Sequence, residues 1–268
     1  MAKMRWIALA GGIMLANAVL AQTKDAAVQS IEEYRAMLED GNPSDLFEAK
    51  GEDLWKQIRG PKNASLQQCD LGKGPGVVAG AFVELPRYFA DTQRVQDLES
   101  RIVTCMQVLQ GFDAAKIAST PFDSGEQKNV TALATWIAAQ SKGMRFNVPQ
   151  EHVKEQTAYE IGKRLFFQRG GPHDFACATC HGQDGKRIRL QELANLTRFP
   201  GDGVGIAAWP AYRVSTGQMW GMQQRLNDCY RQQRFPYAVF GSDAIIALGV
   251  YLGVNSHGAQ SVAPAIKR

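Results

Sequence analysis

Residues 177–181 read Cys-Ala-Thr-Cys-His, and this pentapeptide constrains the fold more than any other stretch of the chain. Cys-x-x-Cys-His is the attachment signature of a c-type haem, in which two thiols bond to the porphyrin vinyl groups and the histidine becomes an axial ligand of the iron. Cys177 and Cys180 are therefore predicted to carry one covalent haem c, with His181 on the iron. The alternative is a zinc half-site or a redox pair. Zinc needs a second ligand pair at suitable spacing, and the other three cysteines are scattered singly, at Cys69, Cys105 and Cys229.

The N-terminus has the pattern of an export signal. Lys3 and Arg5 precede a mostly apolar stretch at 7–20, and Ala21 is the small residue that a signal peptidase requires, which predicts cleavage between Ala21 and Gln22. An uncleaved anchor is the alternative, but the stretch is short for a membrane span. The mature protein is expected to be periplasmic with no membrane span. Its formal charge, which falls from +4 by the two cations of the signal, does not indicate a nucleic-acid partner.

The chain repeats itself in two halves. Gly51 lies the same distance before Cys69 as Gly162 lies before Cys180. Further matches follow in the same order, and they pair Trp55 with Phe166, Gly60 with Gly171, Pro86 with Pro210, Arg101 with Arg225, Cys105 with Cys229, Ala132 with Ala247 and Trp136 with Tyr251. Each half has the element order of a cytochrome c unit, with an N-terminal helix, a haem loop, a ligand-bearing helix and a C-terminal helix.

The repeat predicts an all-α fold of two cytochrome c-like domains related by internal duplication, at 22–145 and 146–258, after a signal peptide at 1–21. Only the second domain is expected to bind haem, because Leu66 stands opposite Cys177 and Asp70 stands opposite His181. The segment 259–268 is small and polar and is expected to be a flexible tail.

The incomplete haem motif of the first half leaves Cys69 and Cys105 without a haem. In the repeat, both positions face the haem pocket from opposite sides, so the two thiols are free to approach each other. In an oxidising compartment this predicts a Cys69–Cys105 disulfide, and two buried free thiols are the alternative.

Several residues are candidates for the second axial ligand of the haem iron. Met219 and Met222 are the candidates in an ordinary electron-carrier cytochrome, whereas His173 and His257 have the positions of surface histidines. Cys229 is the cysteine left without a predicted bond. A thiolate is both a haem ligand and a nucleophile. Arg225 lies one helical turn before Cys229, so its charge would favour the thiolate and bind an anion nearby.

At these residues the chain resembles the SoxA family of bacterial thiosulfate oxidation. The resemblance covers nearly all of the chain after the signal and is carried by Cys69-Asp-Leu-Gly-x-Gly-x-Gly76, Leu85-Pro-Arg-Tyr-Phe-Ala90, Cys177-Ala-Thr-Cys-His181 and Arg225-Leu-x-x-Cys229. Many SoxA proteins hold two haems, so the incomplete first motif places this chain with the single-haem type, in which the leftover cysteines form a disulfide.

The resemblance implies an L-cysteine S-thiosulfotransferase. It implies that His181 and Cys229 are the axial ligands, that Cys229 carries a persulfide and that Arg225 contacts the substrate anion. The implied reaction joins thiosulfate to a cysteine of the carrier SoxYZ, and the electrons leave through SoxX, the heterodimer partner, to cytochrome c. Two other functions stay open on the residues alone, an electron-carrier cytochrome c and a thiosulfate dehydrogenase that makes tetrathionate.

Overall fold

The computed structural model describes residues 41–188, 191–199 and 205–267, together with 29–30, 33–34 and 36–37. The predicted signal peptide and its cleavage position lie outside the described residues. Within those ranges, no helix has both the length and the apolar character needed to cross a membrane. Elements are numbered below in chain order from residue 44.

From residue 41 onward, the first half contains four α-helices and one hairpin. Its helices are α1 (Ser44–Lys56), α2 (Leu98–Cys105), α3 (Ala114–Ser119) and α4 (Gly125–Ala139), with a 3-10 turn at Phe82–Glu84 and a π-helical turn at Met106–Gln110. The hairpin pairs β1 (Arg87–Phe89) with β2 (Arg94–Gln96) in antiparallel fashion. Asp97 begins α2, because its side chain accepts a hydrogen bond of 2.8 Å from the Ser100 N–H.

The second half follows the same order. Its helices are α5 (Val153–Phe167), α6 (Cys177–His181), α7 (Met222–Gln232) and α8 (Asp243–Asn255). A short hairpin joins β3 (Arg187–Ile188) to β4 (Gln191–Glu192). A three-stranded sheet has the order β6 (Gln218–Trp220), β5 (Ala211–Arg213), β7 (Ala265–Lys267), in which β5 is antiparallel to β6 and parallel to β7.

Two expectations from the sequence need correction. The fold is mainly helical but not all-α, since strands of two or three residues flank the helices; elements this short do not show a hydrophobic period that the sequence could reveal. The segment 259–268 is also not a loose tail where it is described. Its strand β7 pairs with β5, and the Val262 N–H donates to the Ala207 carbonyl at 2.9 Å.

One helix crossing occurs in each half, and each depends on a buried glycine. A Cβ added to Gly51 on α1 would overlap the carbonyl oxygen of Ala132 on α4. A Cβ added to Gly162 on α5 would overlap the carbonyl oxygen of Ala247 on α8 in the same way. The four residues are the pairs that the repeat aligns, so α1 crosses α4 with the same contacts as α5 crosses α8.

The core of the first half fills the place where the second half carries its haem motif. Cys69 and Cys105 are both buried and are joined by a disulfide. Leu66, which the repeat aligns with Cys177, is fully buried beside them. Arg101, the counterpart of Arg225, is held by Asp91 at 2.8 Å, with its guanidinium 4.0 Å from the centre of the Phe89 ring. This half is therefore a closed apolar core with its arginine already paired.

Candidate active site

The haem motif forms the single turn of α6. The hydroxyl of Thr179 accepts a hydrogen bond of 2.9 Å from the Ala176 N–H, which fixes the start of the turn just before Cys177. His181 at the end of the turn places its Nδ1 2.9 Å from the carbonyl oxygen of Ala194. That contact makes Nδ1 the protonated nitrogen and leaves Nε2 with its lone pair. A ring oriented in this way is what an iron-binding histidine requires.

The titration of His181 agrees with that role. Burial lowers the pKa of His181, the hydrogen bond to Ala194 raises it, and the charge of Arg225 lowers it, with a net shift downward. The imidazole is therefore favoured in its neutral form, which is the form that binds metal.

The thiols of the motif fit a haem c. Cys177 and Cys180 are both free and partly exposed. Burial, together with the nearby Cys229, raises the pKa of Cys177 to about 11, so the group is a protonated thiol at neutral pH. Across the described residues there is no group of three or more His, Cys, Asp or Glu side chains arranged to hold a bare metal ion. Two thiols beside one oriented imidazole are the groups that haem c attachment uses.

Helix α7 brings the remaining predicted site residues to the same place. Cys229 on this helix is close enough to Cys180 and Cys177 for their charges to interact, and Arg225 interacts with His181. The structure thus gathers all five predicted residues of the second half, although they come from two separate segments of the sequence.

The surroundings of Cys229 shift the pKa of its thiol in opposite directions. Burial is the largest effect and raises the pKa of Cys229, with a further contribution from Asp228, while Arg225 and Arg213 lower it. The arginine charge thus acts in the direction that the sequence suggests, but burial outweighs it. The Cys229 thiol is half-buried and is close enough to two guanidinium groups for their charges to act on it.

Asp228 is a site residue that the sequence analysis missed. Its Oδ2 lies 3.1 Å from Nη1 of Arg225, and its Oδ1 lies 2.7 Å from Nη2 of Arg231. The carboxylate therefore holds Arg225 against α7 on the turn that carries Cys229. The signal was present, because an acidic residue three positions after an arginine on a helix is placed to pair with it.

Arg213 and two tryptophans complete the surroundings. The guanidinium of Arg225 lies 5.7 Å from the ring centre of Trp209, and that of Arg213 lies 5.2 Å from the ring centre of Trp220. Nε of Arg213 and Nε1 of Trp220 are buried, and neither has a hydrogen-bond partner among the described residues. The charge of Arg213 acts on Cys229, so this buried donor near the half-buried thiol suits an anionic group.

The other candidate ligands have surroundings that differ from those of Cys229. Met219 is buried in β6, and Met222 packs against the apolar cores of both halves. His173 is exposed beside Phe175, and His257 is exposed beside Phe199. The methionines therefore serve the core, and Cys229 is the candidate that faces the haem motif.

Comparison with known proteins identifies the family. The family model described as "SoxA/TsdA, cytochrome c domain" matches residues 50–146, which lie in the half without the haem motif. The L-cysteine S-thiosulfotransferase subunit SoxA of Hydrogenophilus thermoluteolus is 54% identical over 243 residues, which cover 91% of this chain and 89% of that protein. The chain belongs to the SoxA family.

Two further members extend this result. A SoxA of Hydrogenobacter thermophilus is 33% identical over 261 residues, or 96% of this chain and 95% of that protein. The crystal structure of SoxXA from P. pantotrophus superposes with a TM-score of 0.73 at 25% identity, and covers 88% of this chain and 84% of that chain. This SoxA chain is thus a subunit of an L-cysteine S-thiosulfotransferase, with a cytochrome c fold that implies haem c.

Proposed function

We propose that this SoxA chain is the catalytic subunit that joins thiosulfate oxidatively to a cysteine of the carrier SoxYZ, with Cys229 as the reacting sulfur. The observation that carries the proposal is the placement of Cys229 on α7, one turn after Arg225 and beside the thiols of the haem motif. No other free cysteine among the described residues shares a helix with an arginine at that spacing.

The chain is proposed to hold one haem c, which Cys177 and Cys180 would attach covalently and whose iron His181 and Cys229 would bind. The orientation of the His181 ring by Ala194 supports the first of these ligands. The first half is proposed to hold none, because Cys69 is engaged in a disulfide. Its matching helix crossing and its match to the cytochrome c domain model support an origin of both halves, 22–145 and 146–258, by duplication.

The overall reaction is the oxidative formation of a sulfur–sulfur bond. The carrier thiol loses its proton, its sulfur bonds to the outer sulfur of thiosulfate, and the S-thiosulfonate forms with release of one proton and two electrons. Bound haem supplies a one-electron acceptor next to the sulfur. SoxX, the partner in the SoxXA structure, is proposed to bind this chain and to pass the electrons on to cytochrome c.

The residues of this chain have distinct tasks in that reaction. Cys229 is proposed to carry an extra sulfur as a persulfide. The outer sulfur of the persulfide would bond to the outer sulfur of thiosulfate as two electrons leave to the acceptors named above. The carrier thiolate would then attack the sulfur that came from thiosulfate, which forms the S-thiosulfonate and releases the persulfide on Cys229. Arg225 is proposed to bind the sulfonate oxygens with its planar fork of donors, while Asp228 holds the fork in place. Arg213 supplies a second positive charge on the same side.

The proposed site requires an oxidising compartment. The disulfide of the first half and the covalent haem both form outside the cytoplasm. We therefore place the mature protein in the periplasm after cleavage between Ala21 and Gln22, and intact-mass measurement of the exported protein tests the cleavage, the number of haems and an extra sulfur on Cys229 together.

Cys229→Ala tests the proposal directly, in the holoprotein with SoxX. We expect conjugation of thiosulfate to the carrier to fall by at least about a hundredfold, with covalent haem retained and the absorption spectrum changed. Met219→Leu and Met222→Leu are the matched controls, since they conserve volume and remove the ligand of an electron-carrier cytochrome. Full activity in Cys229→Ala, or a ligand change only in a methionine variant, would refute the assignment.

An assay with thiosulfate and no carrier protein distinguishes a thiosulfate dehydrogenase, the second candidate function, from the proposed thiosulfotransferase. The matching family model covers SoxA and TsdA together, and a thiosulfate dehydrogenase joins two thiosulfates without a carrier. Under the proposed function, tetrathionate does not accumulate when the carrier is omitted. Rapid tetrathionate formation under those conditions would favour the dehydrogenase.

A further inference from the structure

The helix that carries the site residues begins against the first half of the molecule. The residue before α7 is Gly221, which has no side chain to cap the helix. In its place, Oε2 of Glu99 on α2 accepts a hydrogen bond of 3.0 Å from the backbone N–H of Gln223, and the Met222 N–H also bonds to this carboxyl group. The N-terminus of α7 is therefore capped by a residue 124 positions earlier in the sequence.

A residue of α7 in turn binds the start of α2. The side chain of Gln223 donates at 2.8 Å to Oδ2 of Asp97, the residue that caps α2. Its carbonyl oxygen accepts at 2.7 Å from the Gly241 N–H, so both ends of the Gln223 amide are engaged. In the repeat, Gln223 is the counterpart of Glu99 and Gly221 is the counterpart of Asp97. Each half thus contributes one side chain to the helix start of the other half.

Glu99 packs closely against the start of α7. Glu99 is 5% exposed. A Cβ added to Gly221 would overlap Oε1 of Glu99, so the carboxyl group lies directly against the helix start. The first residues of α7 are consequently held in place by the first half and not by their own local sequence.

We propose that Glu99 is a positioning residue for the sulfur-transfer site, and that through it the half without the haem motif sets the position of Arg225 and Cys229. The role in catalysis rests on the proposed function. The placement of α7 by Glu99 does not.

The physical basis is the rigidity of a short helix. Cys229 lies seven residues after Met222, which is about 10 Å along the axis at 1.5 Å per residue. The hydrogen bonds within the helix pass a displacement of its first turn to Arg225 and Cys229 with little loss. An error of about 1 Å in the position of reacting groups costs about a hundredfold in rate.

Three variants, measured in the holoprotein with SoxX, test the proposal. Glu99→Ala removes the acceptor, and Glu99→Gln keeps the shape and one acceptor oxygen. Asp113→Ala is the matched control, because Asp113 caps α3 through the Ala115 N–H at 2.9 Å and does not contact α7. Loss of that cap costs about 1 kcal/mol of stability, so the control shows what destabilisation alone does.

The readouts are the electron paramagnetic resonance signal of the oxidised haem, the turnover with thiosulfate and carrier, and the melting temperature. We expect Glu99→Ala to shift the resonance positions and to lower kcat by about tenfold or more, and Glu99→Gln to lie between it and wild type. Asp113→Ala should melt earlier with an unchanged spectrum and kcat within about twofold.

The outcomes are decisive in both directions. If Glu99→Ala and Glu99→Gln only lower the melting temperature, as the control does, the contact is structural and the proposal is wrong. If Glu99→Ala does not fold, Glu99→Gln alone decides through its spectrum. If wild type does not conjugate thiosulfate, the proposed function fails, while the spectral shift still tests the placement of α7 by Glu99.

Discussion

Gly162 lies directly against the carbonyl oxygen of Ala247, where α5 crosses α8. A β-carbon at this position would overlap the backbone, which cannot move aside as a flexible side chain can. Next to the crossing, the rings of Phe166 and Tyr251 pack with their centres 5.0 Å apart. The crossing closes the core behind the haem motif, so its spacing affects the whole second half.

Gly162→Ala is expected to destabilise the protein by about 1–3 kcal/mol, because the added methyl group forces the two helices apart. Gly51→Ala should have a similar effect in the first half, where Gly51 meets Ala132. Gly41→Ala is the control, since no atom of the described residues lies within 4 Å of its β-position. Denaturant unfolding followed by circular dichroism measures all three, and equal stability of Gly162→Ala and Gly41→Ala would contradict the assigned crossing.

Substitution of Arg225 tests its role as the anion-binding group. Arg225→Lys keeps the charge but loses the planar fork, so we expect kcat/KM for thiosulfate to fall by about tenfold or more. Arg231→Ala is the matched control, because Arg231 pairs with the same Asp228 but has a 58% exposed side chain. Steady-state kinetics should show the control within about twofold of wild type, and an equal loss in both variants would mean that Asp228, not Arg225, matters.

Removal of the disulfide affects stability and leaves the haem site in place. The double variant Cys69→Ala/Cys105→Ala opens a link between residues 36 positions apart. In the chain-entropy account this lowers the free energy of unfolding by about 4 kcal/mol. Haem content should be unchanged, since the attachment cysteines lie in the other half. Non-reducing peptide mass spectrometry checks the link in wild type, and two alkylated thiols there would contradict it.

The pH dependence of stability follows from Glu99. Burial, together with the neighbouring Asp97, raises the pKa of Glu99 from 4.5 to about 8, although the N–H groups of Gln223 and Met222 act in the opposite direction. Asp97 is the only other charged residue lining the cavity beside it in the described part of the chain. The folded state therefore keeps a proton that the unfolded state releases above pH 4.5.

The contribution of Glu99 to the free energy of unfolding is fully present below pH 4.5 and is lost as the pH rises toward about 8. Burial also raises the pKa of Asp97, which adds a slope of the same sign. Melting temperatures of wild type and Glu99→Gln should be most alike at low pH, where both side chains are neutral, and wild type should fall relative to the variant as the pH rises from 4.5 toward about 8. Parallel curves for the two proteins would show that Glu99 does not titrate in this window.

Much of the site could be predicted from the sequence because its chemistry depends on local motifs. Cys177, Cys180 and His181 are neighbours in the chain, and Arg225 and Cys229 are one helical turn apart, so short-range geometry brings each set together. The alignment of the two halves indicated which cysteines were left over, and the structure joins that pair, Cys69 and Cys105.

The missed features depend on contacts between distant segments. The strand β7 forms only because β5 offers a free edge to it. The pKa of Cys229 is raised because packing buries the sulfur, whereas the sequence showed only the nearby charge of Arg225. Residue order carries no direct record of how deeply a side chain is buried.

By itself, the sequence predicted two related halves, located the haem motif in the second of them, and put Arg225 and Cys229 one helical turn apart. Only the tertiary structure decided what holds that helix. Glu99 reaches Gln223 across 124 residues of chain, in a contact set by the packing of one half against the other. The spacing of residues along the chain decides which side chains lie together within one helical turn. The position of that turn in the molecule depends instead on the free energy of packing between distant segments.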